Sequence, residues 1–472
     1  MNIYEDRAKA LAALFPESIT ISSYLVEDDF LDKAFQYKPD FLLLYHGKPF
    51  CPIEMKVTPA SNNFTILYMR ASLIEYARQH NYPYALIDLN DSCYLLSESD
   101  GYRLNDPITL QEASSVIIAR MTAITTTNVV SLAQAFLDKL KLTARSTPEL
   151  NKETVEAIER MDVNDLDWSH ICSSPTIITL SPEFEHKLFM AVLGGYSYPQ
   201  VCCYTYRSSL KRIIDNKKQS LCSIVGMNDK SECYYTEDYL ALRRGGSNIT
   251  PHLSASLNKY YIASCSRMDN NPEDGDMNDN LTMWRMYADE GKGVCMVLDI
   301  DRELMKQGYT LAPVSYGKVK PVKELDYVDD DGTKYYSIEG MDHYHPELDF
   351  IFAIQFCKVG GYEYRFPNFD FWKHFFKAFE YRDEKEIRLM YKAKEGDKNK
   401  WIEGNDIFCP VVEKSIKSDN NEFPLILKKV ILGPKFTEKE VNVIQLRQMI
   451  SESDILNADN IECTLSAIDN YR

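Results

Sequence analysis

The sequence lacks the residues and patterns that would identify several common classes of protein. It has eight histidines and 12 cysteines, and no two cysteines have CxxC spacing. Many cysteines lie in apolar strings such as YIASCS and GVCMVLDI. We therefore expect reduced, buried thiols rather than a zinc site or a disulfide framework. The sequence also has no Walker or dinucleotide-binding glycine pattern.

Long apolar runs and a basic excess are missing as well. No apolar run is long enough to cross a bilayer, so we expect no membrane partner. The start, MNIYEDRAKALAALFPES, lacks the features of a signal peptide, which together with the thiols predicts a cytoplasmic protein. The formal charge is −17, which argues against nucleic-acid binding by bulk electrostatics. Residues 1–120 contain 10 basic and 16 acidic residues, so a nucleic-acid contact there needs a basic groove, a metal or a partner protein.

Apolar residues make up 45% of the 472-residue chain and aromatic residues 12%, which is enough for two or three globular domains. Residues 1–110 have an α-β-β-β-α-β pattern, which predicts a small α/β domain built on a mixed sheet. Residues 111–198 have helical spacing and predict a helical connector. Residues 199–472 are rich in tyrosine and predict an α+β domain.

A candidate metal site lies in KPDFLLLYHGKPFCPIEMKV, residues 38–57. Asp40 precedes one apolar strand, and Glu54 and Lys56 end the next, across a hairpin. Two carboxylates on adjacent strands can hold Mg²⁺ with its retained waters. Because strand side chains alternate, Lys56 faces the same side as Glu54, where it could orient the water or contact a phosphate.

This arrangement resembles the PD-(D/E)xK nuclease superfamily, and within it the N-terminal domains of type I restriction subunits, over about residues 1–105. The resemblance implies a restriction-endonuclease-like fold, Asp40 and Glu54 as metal ligands and Lys56 as the catalytic lysine. It also implies Glu5 of the first helix as an auxiliary acid.

One element of that family is missing, and two alternatives remain open. The helix after the motif often carries a glutamine four residues before a tyrosine, whereas here Ser72 precedes Tyr76. The three charged residues could instead be exposed strand ends. The domain could also be a nuclease fold that only binds or senses.

The C-terminal half contains a second series of motifs, which are YTYRSS, GMNDKSE, MWRMYADEGKGVC and EKEIRLMY. In this order and spacing they resemble a widespread bacterial family of unknown function, over about residues 200–440. The residues in the signature positions are Arg207, Asn228, Asp229, Glu232, Trp284, Tyr287, Gly293, Val294, Cys295, Glu384, Glu386 and Arg388.

The order of arginine, serine and glutamate along these strands resembles that of ADP-ribosyltransferases. The resemblance implies that Arg207, Ser264 or Ser266, and Tyr287 contact NAD as the substrate. It implies that Glu386, with Glu384 as an auxiliary acid, stabilises an oxocarbenium-like centre.

Two alternatives accompany this interpretation. Glu384, Glu386 and Arg388 could simply form ion pairs on the face of a strand. Trp284 and Tyr287 lie one turn apart, and that spacing suits core packing better than a base-stacking platform.

Taken together, these motifs predict a bacterial antiviral defence effector with a Mg-dependent nuclease domain that acts on nucleic acid or on a nucleic-acid-bound partner. One alternative is an ADP-ribosyltransferase or NAD glycohydrolase in the C-terminal domain, with the first domain as a sensor. Another is a binding protein without catalysis. His343 and His345 form a loop pair without other metal ligands nearby in the sequence.

Overall fold

The structure is a computed structural model. It describes residues 3–17, 19–23, 39–45, 48–56, 63–80, 82–89, 92–98, 101–121, 126–166, 177–226, 230–245, 259–268, 277–319, 326–328, 332, 334–336, 343–394, 396–404 and 407–468.

Within these ranges the helices are α1 (Ile3–Ala12), α2 (Asn63–Gln79), α3 (Leu110–Met121), α4 (Thr126–Ser146), α5 (Lys152–Glu159), α6 (Pro182–Leu193), α7 (Arg207–Asn216), α8 (Tyr235–Arg243), α9 (Leu281–Tyr287), α10 (Arg302–Met305), α11 (Pro346–Ile354), α12 (Phe369–Trp372) and α13 (Lys439–Ser451). None of the helices in the described part of the chain is both long enough and apolar enough to span a membrane.

The strands are β1 (Ile19–Ser23), β2 (Phe41–Tyr45), β3 (Lys48–Met55), β4 (Tyr84–Asp88), β5 (Cys93–Ser97), β6 (Ile177–Thr179), β7 (Gln200–Thr205), β8 (Lys218–Ser223), β9 (Tyr260–Arg267), β10 (Val294–Ile300), β11 (Tyr309–Pro313), β12 (Ser315–Tyr316), β13 (Lys318–Val319), β14 (Tyr327–Val328), β15 (Lys334–Tyr335), β16 (His343–Tyr344), β17 (Lys358–Val359), β18 (Tyr362–Arg365), β19 (Phe376–Lys377), β20 (Glu386–Lys392), β21 (Lys400–Gly404), β22 (Ile407–Ser415), β23 (Leu425–Leu432) and β24 (Glu462–Leu465).

The chain forms two compact units, both of mixed α/β structure. Unit 1 comprises residues 1–146, 155–188 and 350–369, and unit 2 comprises residues 147–154, 189–349 and 370–472. The predicted helical connector has the expected helices but does not form a unit of its own. Its first two helices, α3 and α4, belong to unit 1, because α3 buries Ala113 and Ile117 in the core of that unit.

Unit 1 is built on a mixed five-stranded sheet in the order β1-β2-β3-β4-β5. The first three strands pair antiparallel, and β3 pairs parallel with β4 through the crossover helix α2. The succession α1-β1-β2-β3-α2-β4 is the one that the sequence pattern predicts.

The two faces of this sheet are covered by different helices, because strand side chains alternate. Ile53 and Met55 of β3 pack in the core that contains Leu11 of α1 and Ile117 of α3. The opposite face of the sheet packs on α2, where Leu73 lies in the core. Glu54 and Lys56 therefore lie on the α2 side of β3.

Unit 1 also contains a segment that is distant in the sequence. Strand β18 pairs parallel with β6 and antiparallel with β17 in a three-stranded sheet. The ring of Tyr364 in β18 stacks on Phe136 of α4, with their centroids 4.4 Å apart. Residues 350–369 are thus part of unit 1 although they follow most of unit 2 in the chain.

Unit 2 is built on a ten-stranded sheet with the path β21-β22-β8-β9-β7-β10-β23-β24, and β20 and β11 branch from β9. One edge of β9 is paired with β20 along its whole length. The other edge is shared, since Ile262 pairs with Cys222 of β8 and Ser266 pairs with Cys202 of β7. The sheet therefore forks beside residues 263–265, where β7 and β8 separate.

Two cysteines of this sheet lie close together. Cys203 of β7 and Cys265 of β9 are on adjacent strands, with their Cα atoms 4.6 Å apart. Most of the other described cysteines are buried, as the apolar strings predict.

Candidate functional site

The hairpin of unit 1 brings the three predicted nuclease residues together. Phe41 pairs with Ile53, so the start of β2 lies beside the end of β3. A carboxylate oxygen of Asp40 accepts a hydrogen bond from the backbone amide of Met55, at 2.7 Å. That amide belongs to the residue between Glu54 and Lys56, so the Asp40 carboxylate contacts the backbone of the segment that carries both.

Glu54 and Lys56 form an ion pair on the α2 side of the sheet. The ammonium nitrogen of Lys56 lies 3.2 Å from Oε1 of Glu54. The Lys56 side chain is 35% exposed and that of Glu54 is 11% exposed. The lysine is thus held by the buried carboxylate while part of its side chain remains open to solvent.

A third carboxylate at this end of the sheet, Asp88 of β4, belongs to a different group. Arg7 of α1 donates two hydrogen bonds to it, at 2.8 and 2.9 Å. Because Tyr84 and Leu86 pack on the α1 side, alternation places Asp88 on that side, opposite Glu54. Sequence reasoning missed this ion pair, since α1 and β4 are about 80 residues apart.

Several predicted residues cannot be placed in a site. Glu5 lies in α1, but its side chain is outside the described residues, as are Asn228, Asp229 and the side chain of His343. His345 is buried, with Nε2 3.1 Å from the carbonyl oxygen of Ser315. Within the described ranges, no group of three or more His, Cys, Asp or Glu side chains is arranged to hold a metal ion.

Unit 2 contains a cavity of about 780 Å³ at the fork of its sheet. Its wall combines residues from β7, β8, β9, α9 and the segment from β19 to β20. The described lining residues are Cys202, Tyr204, Cys222, Gly226, Glu232, Ser264, Cys265, Ser266, Met283, Tyr287, Lys377, Tyr381, Glu384 and Glu386. This volume lies within the range of about 300–1,000 Å³ typical of small-molecule sites.

Three glutamates surround the ammonium group of Lys377 at the wall of this cavity. The nitrogen lies 2.9 Å from one carboxylate oxygen each of Glu232, Glu384 and Glu386. An ammonium group has three N–H donors, so each glutamate can accept one hydrogen bond from it. The Lys377 side chain is 5% exposed, and these contacts are almost fully removed from water.

The buried guanidinium of Arg388 completes this cluster. It donates to both carboxylate oxygens of Glu386, at 2.8 and 2.9 Å, and to Glu232 at 2.7 Å. It also donates to the carbonyl oxygen of His374. The ion pair between Glu386 and Arg388 that the sequence offered as an alternative is thus present, and Glu384 pairs with Lys377 instead.

The charges in the cluster set the protonation state of Glu386. Burial alone would raise the pKa of its carboxyl group, but Arg388 and Lys377 outweigh burial and lower the pKa to about 2. The pKa of Lys377 is raised, because the glutamates outweigh the effect of burial. At neutral pH, Glu386 is a carboxylate and Lys377 an ammonium.

Glu384 connects the cluster to the predicted serine and tyrosine. Its carboxylate accepts from the hydroxyl of Tyr287 as well as from Lys377. Its backbone carbonyl accepts from the hydroxyl of Ser266, at 3.1 Å. Burial, followed by the contact with Glu384, raises the pKa of Tyr287, so its hydroxyl stays protonated. The lining also includes Ser264, which faces the same side of β9.

Arg207 does not join this group. It begins α7 and lines a separate pocket with Val294 and Phe436, its guanidinium carbon 5.4 Å from the Phe436 ring centroid. Val294 packs on one face of the sheet and Cys295 on the other, with Cys202 of the cavity wall. Arg207 therefore lies on the opposite face from the cavity.

Trp284 and Tyr287 have different environments although they are one turn apart. Trp284 is fully buried, and its indole nitrogen donates to Asp279 at 2.7 Å. Tyr287 reaches the cavity. The prediction of core packing therefore holds for Trp284, whereas Tyr287 lines the cavity.

Sequence reasoning did not identify Lys377, which organises the cluster. It lies in the aromatic string FWKHFFKAFEY, residues 371–381, and no spacing relates it to Glu232 or Glu386. A lysine within such an apolar string is rarely buried without a charged partner, and this could have served as a signal.

Comparison with known proteins gives one match. Residues 283–389 match the model of a family described as a protein of unknown function (DUF2971). The expectation of such a family is therefore confirmed over a shorter stretch than predicted, which contains Lys377, Glu384 and Glu386. No curated protein and no solved structure matches the chain.

Proposed function

We propose that unit 1 is a magnesium-dependent nuclease that hydrolyses phosphodiester bonds in nucleic acid. The observation that supports this most is the hydrogen bond from the Met55 amide to Asp40. It holds one carboxylate beside the strand end that carries Glu54 and Lys56. Two acids and a lysine from a continuous segment of 17 residues are thereby gathered on a folded hairpin.

The donor set fits magnesium. Mg²⁺ is commonly bound through one or two carboxylates with several waters retained, and Asp40 and Glu54 would supply them. When bound, the ion would polarise the phosphate and lower the pKa of a bound water. Asp88 is not needed in this scheme, since Arg7 already neutralises it.

The residues of the chain would have distinct roles. The amide of Met55 fixes the orientation of Asp40. Lys56 would contact a nonbridging phosphate oxygen or the attacking water, which its partial exposure allows. The oxygen of water would add to phosphorus and lose a proton to solvent, while the bond to the leaving sugar oxygen breaks and that oxygen takes up a proton from solvent.

Cleavage assays on the full-length protein test this proposal. With Mg²⁺ we expect cleavage of DNA or RNA that EDTA abolishes. Asp40→Asn and Lys56→Ala should each slow cleavage by on the order of a hundredfold. The exposed residues Asp106 and Lys9 provide matched controls in the same unit, as Asp106→Asn and Lys9→Ala. Wild-type cleavage by the motif variants, or none by the wild type, would contradict the proposal.

A second candidate activity belongs to unit 2, which we propose consumes NAD as a glycohydrolase or ADP-ribosyltransferase. The specific observation in its favour is the cavity wall at Glu384, whose carboxylate accepts a hydrogen bond from Tyr287 and whose backbone carbonyl accepts one from Ser266. Such carboxylates stabilise the positive charge that develops on the ribose. The bond from C1′ to the pyridinium nitrogen breaks, its electron pair stays on nitrogen, and water or an acceptor nucleophile bonds to C1′ and loses a proton.

Labelled NAD distinguishes the two forms of this activity. Incubation with protein, nucleic acid or lysate should release nicotinamide, and transfer of the label would identify an acceptor. Glu384→Gln should slow release by on the order of a hundredfold, whereas Glu440→Gln on the surface of α13 should not. If neither nicotinamide release nor label transfer occurs, this candidate fails.

Both activities would damage nucleic acid or deplete a nucleotide, and we propose that the protein acts in antiviral defence. The partner would then be nucleic acid or a protein bound to it. Phage challenge of cells carrying the wild type, the Asp40→Asn variant or the Glu384→Gln variant tests this role. If cells carrying either variant remain protected against phage, the protein would act by binding and not by catalysis.

A further inference from the structure

The cavity of unit 2 has no cation available for a phosphate group among its described lining residues. Lys377 is the one basic residue among them. Its three N–H donors face Glu232, Glu384 and Glu386, each at 2.9 Å. A phosphate could gain this lysine only by displacing a carboxylate from a buried ion pair.

The second cation of the cluster is equally occupied. Arg388 does not line the cavity, and its guanidinium is held by Glu386, Glu232 and the carbonyl of His374. Arg207, the arginine expected to contact a phosphate or the ribose of NAD, lies on the opposite face of the sheet.

The cluster also has an excess of negative charge. Three carboxylates and two cations leave one negative charge when all five groups are ionised. Glu384 is the glutamate that does not contact Arg388, so the excess lies on its side of the cluster, next to Tyr287. In a wall that is largely removed from water, such a charge repels an anion and attracts a cation.

We infer that this cavity selects an N-ribosylpyridinium cation without phosphate, such as nicotinamide riboside, over the phosphorylated mononucleotide and the dinucleotide. The inference rests on the proposed cleavage of an N-ribosyl bond in this cavity, and it makes a substrate without phosphate preferred over NAD. The pyridinium and the ribose would occupy the cavity beside Glu384, with the ribose hydroxyls within reach of Ser264 and Ser266. A 5′-phosphate would bring two negative charges close to the same wall.

In the corresponding reaction, the bond between C1′ and the pyridinium nitrogen breaks and its electron pair remains on nitrogen. The products are neutral nicotinamide, ribose with the water oxygen on C1′, and one proton released to solvent. The positive charge moves from the ring to the ribose in the transition state, where the Glu384 side of the cavity stabilises it.

The test compares three substrates on the full-length protein, with free nicotinamide measured by chromatography. We expect kcat/KM for nicotinamide riboside to be at least tenfold higher than for nicotinamide mononucleotide or NAD. If either phosphorylated substrate is cleaved as well as the riboside or better, the inference is wrong while the NAD-consuming function stands.

If none of the three substrates releases nicotinamide, a binding measurement tests the inference instead. That outcome removes the catalytic proposal, and calorimetric titration with the riboside and the mononucleotide then tests the charge argument by itself. At least tenfold tighter binding of the riboside supports the inference, and equal or weaker binding overturns it.

A charge variant checks the cause of the preference. Glu384→Gln removes the excess negative charge and keeps the shape of the side chain, so the preference for the riboside over the mononucleotide should fall at least fivefold. Glu440→Gln makes the same change on the exposed surface of α13 and should leave the preference unchanged. If Glu384→Gln keeps the wild-type preference for the riboside over the mononucleotide, the excess negative charge is not the cause of that preference.

Discussion

The two candidate sites differ in how the chain assembles them. The site of unit 1 comes from one hairpin, residues 40–56, and its lysine remains 35% exposed. The site of unit 2 draws on residues from Cys202 to Glu386, and its lysine is 5% exposed and surrounded by carboxylates. The locally assembled site thus keeps its ion pair partly exposed to solvent, whereas the site assembled from distant residues is a buried network of ion pairs.

The largest expected difference between the units is the effect of removing the lysine. Lys377→Met leaves three buried glutamates with Arg388 as their remaining cation, which should reduce the free energy of unfolding by about 3–5 kcal/mol. Urea unfolding followed by circular dichroism measures this loss.

The control for Lys377→Met is an exposed lysine of the same unit. Lys400 lies 2.8 Å from Glu413, with its side chain 54% exposed, so Lys400→Met should cost less than about 1 kcal/mol. Equal losses in the two variants would mean that burial of the cluster contributes little to stability.

The next largest effect is a difference in pH dependence between two buried glutamates. In unit 2, the folded pKa of Glu386 is about 2, below its ordinary value of 4.5. Its contribution, on the order of 3 kcal/mol, is present above pH 4.5 and is lost as the pH falls towards 2. Urea unfolding of the wild type and of Glu386→Gln between pH 6 and 3 measures this contribution. If the two free energies of unfolding change in parallel with pH, the predicted contribution is absent.

In unit 1, Glu185 should show the opposite slope. Burial raises its pKa to about 8, although hydrogen bonds from Asn368 lower it in part. The folded state therefore holds a proton that the unfolded state releases, and stability falls as the pH rises from about 4.5 to 8. Glu185→Gln should remove this fall in urea titrations between pH 5 and 8.5. If the stability of Glu185→Gln falls by the same amount over this pH range, another group causes the fall.

A smaller effect is expected at the ion pair beside the nuclease motif. Arg7→Met leaves Asp88, which is 1% exposed, without the two hydrogen bonds from the guanidinium. The loss should be about 1–3 kcal/mol, below that of Lys377→Met because the Arg7 side chain is 22% exposed. If Arg7→Met reduces the free energy of unfolding more than Lys377→Met does, the ion pair of unit 1 contributes more to stability than the cluster of unit 2.

The comparison also explains which residues sequence reasoning could find. Asp40, Glu54 and Lys56 were identified because their spacing and the period of the strands fix their common location. Glu386 and Ser266 were identified by the order of the motifs, and the register of β9 and β20 does place them opposite each other. Lys377 was missed because its three partners are 7, 9 and 145 residues away, with no repeat to relate them.

Tertiary structure also decided the location of Arg207 and of the segment 111–198. Arg207 begins α7, two residues after the end of β7, and lines a pocket on the far face of the sheet. The segment 111–198 has the predicted helices, and its residues are divided between the two units. Neither result follows from local pattern, since each depends on which distant surface is available for burial.

By itself, the sequence determined the succession of helices and strands in residues 1–110 and the hairpin of residues 40–56, because both follow from the local alternation of apolar and polar residues. Only the tertiary structure decided the fork of the large sheet, the return of residues 350–369 to unit 1 and the cluster of charges around Lys377. The physical reason is that strand pairing and charge compensation act between groups that approach each other only after the chain has folded.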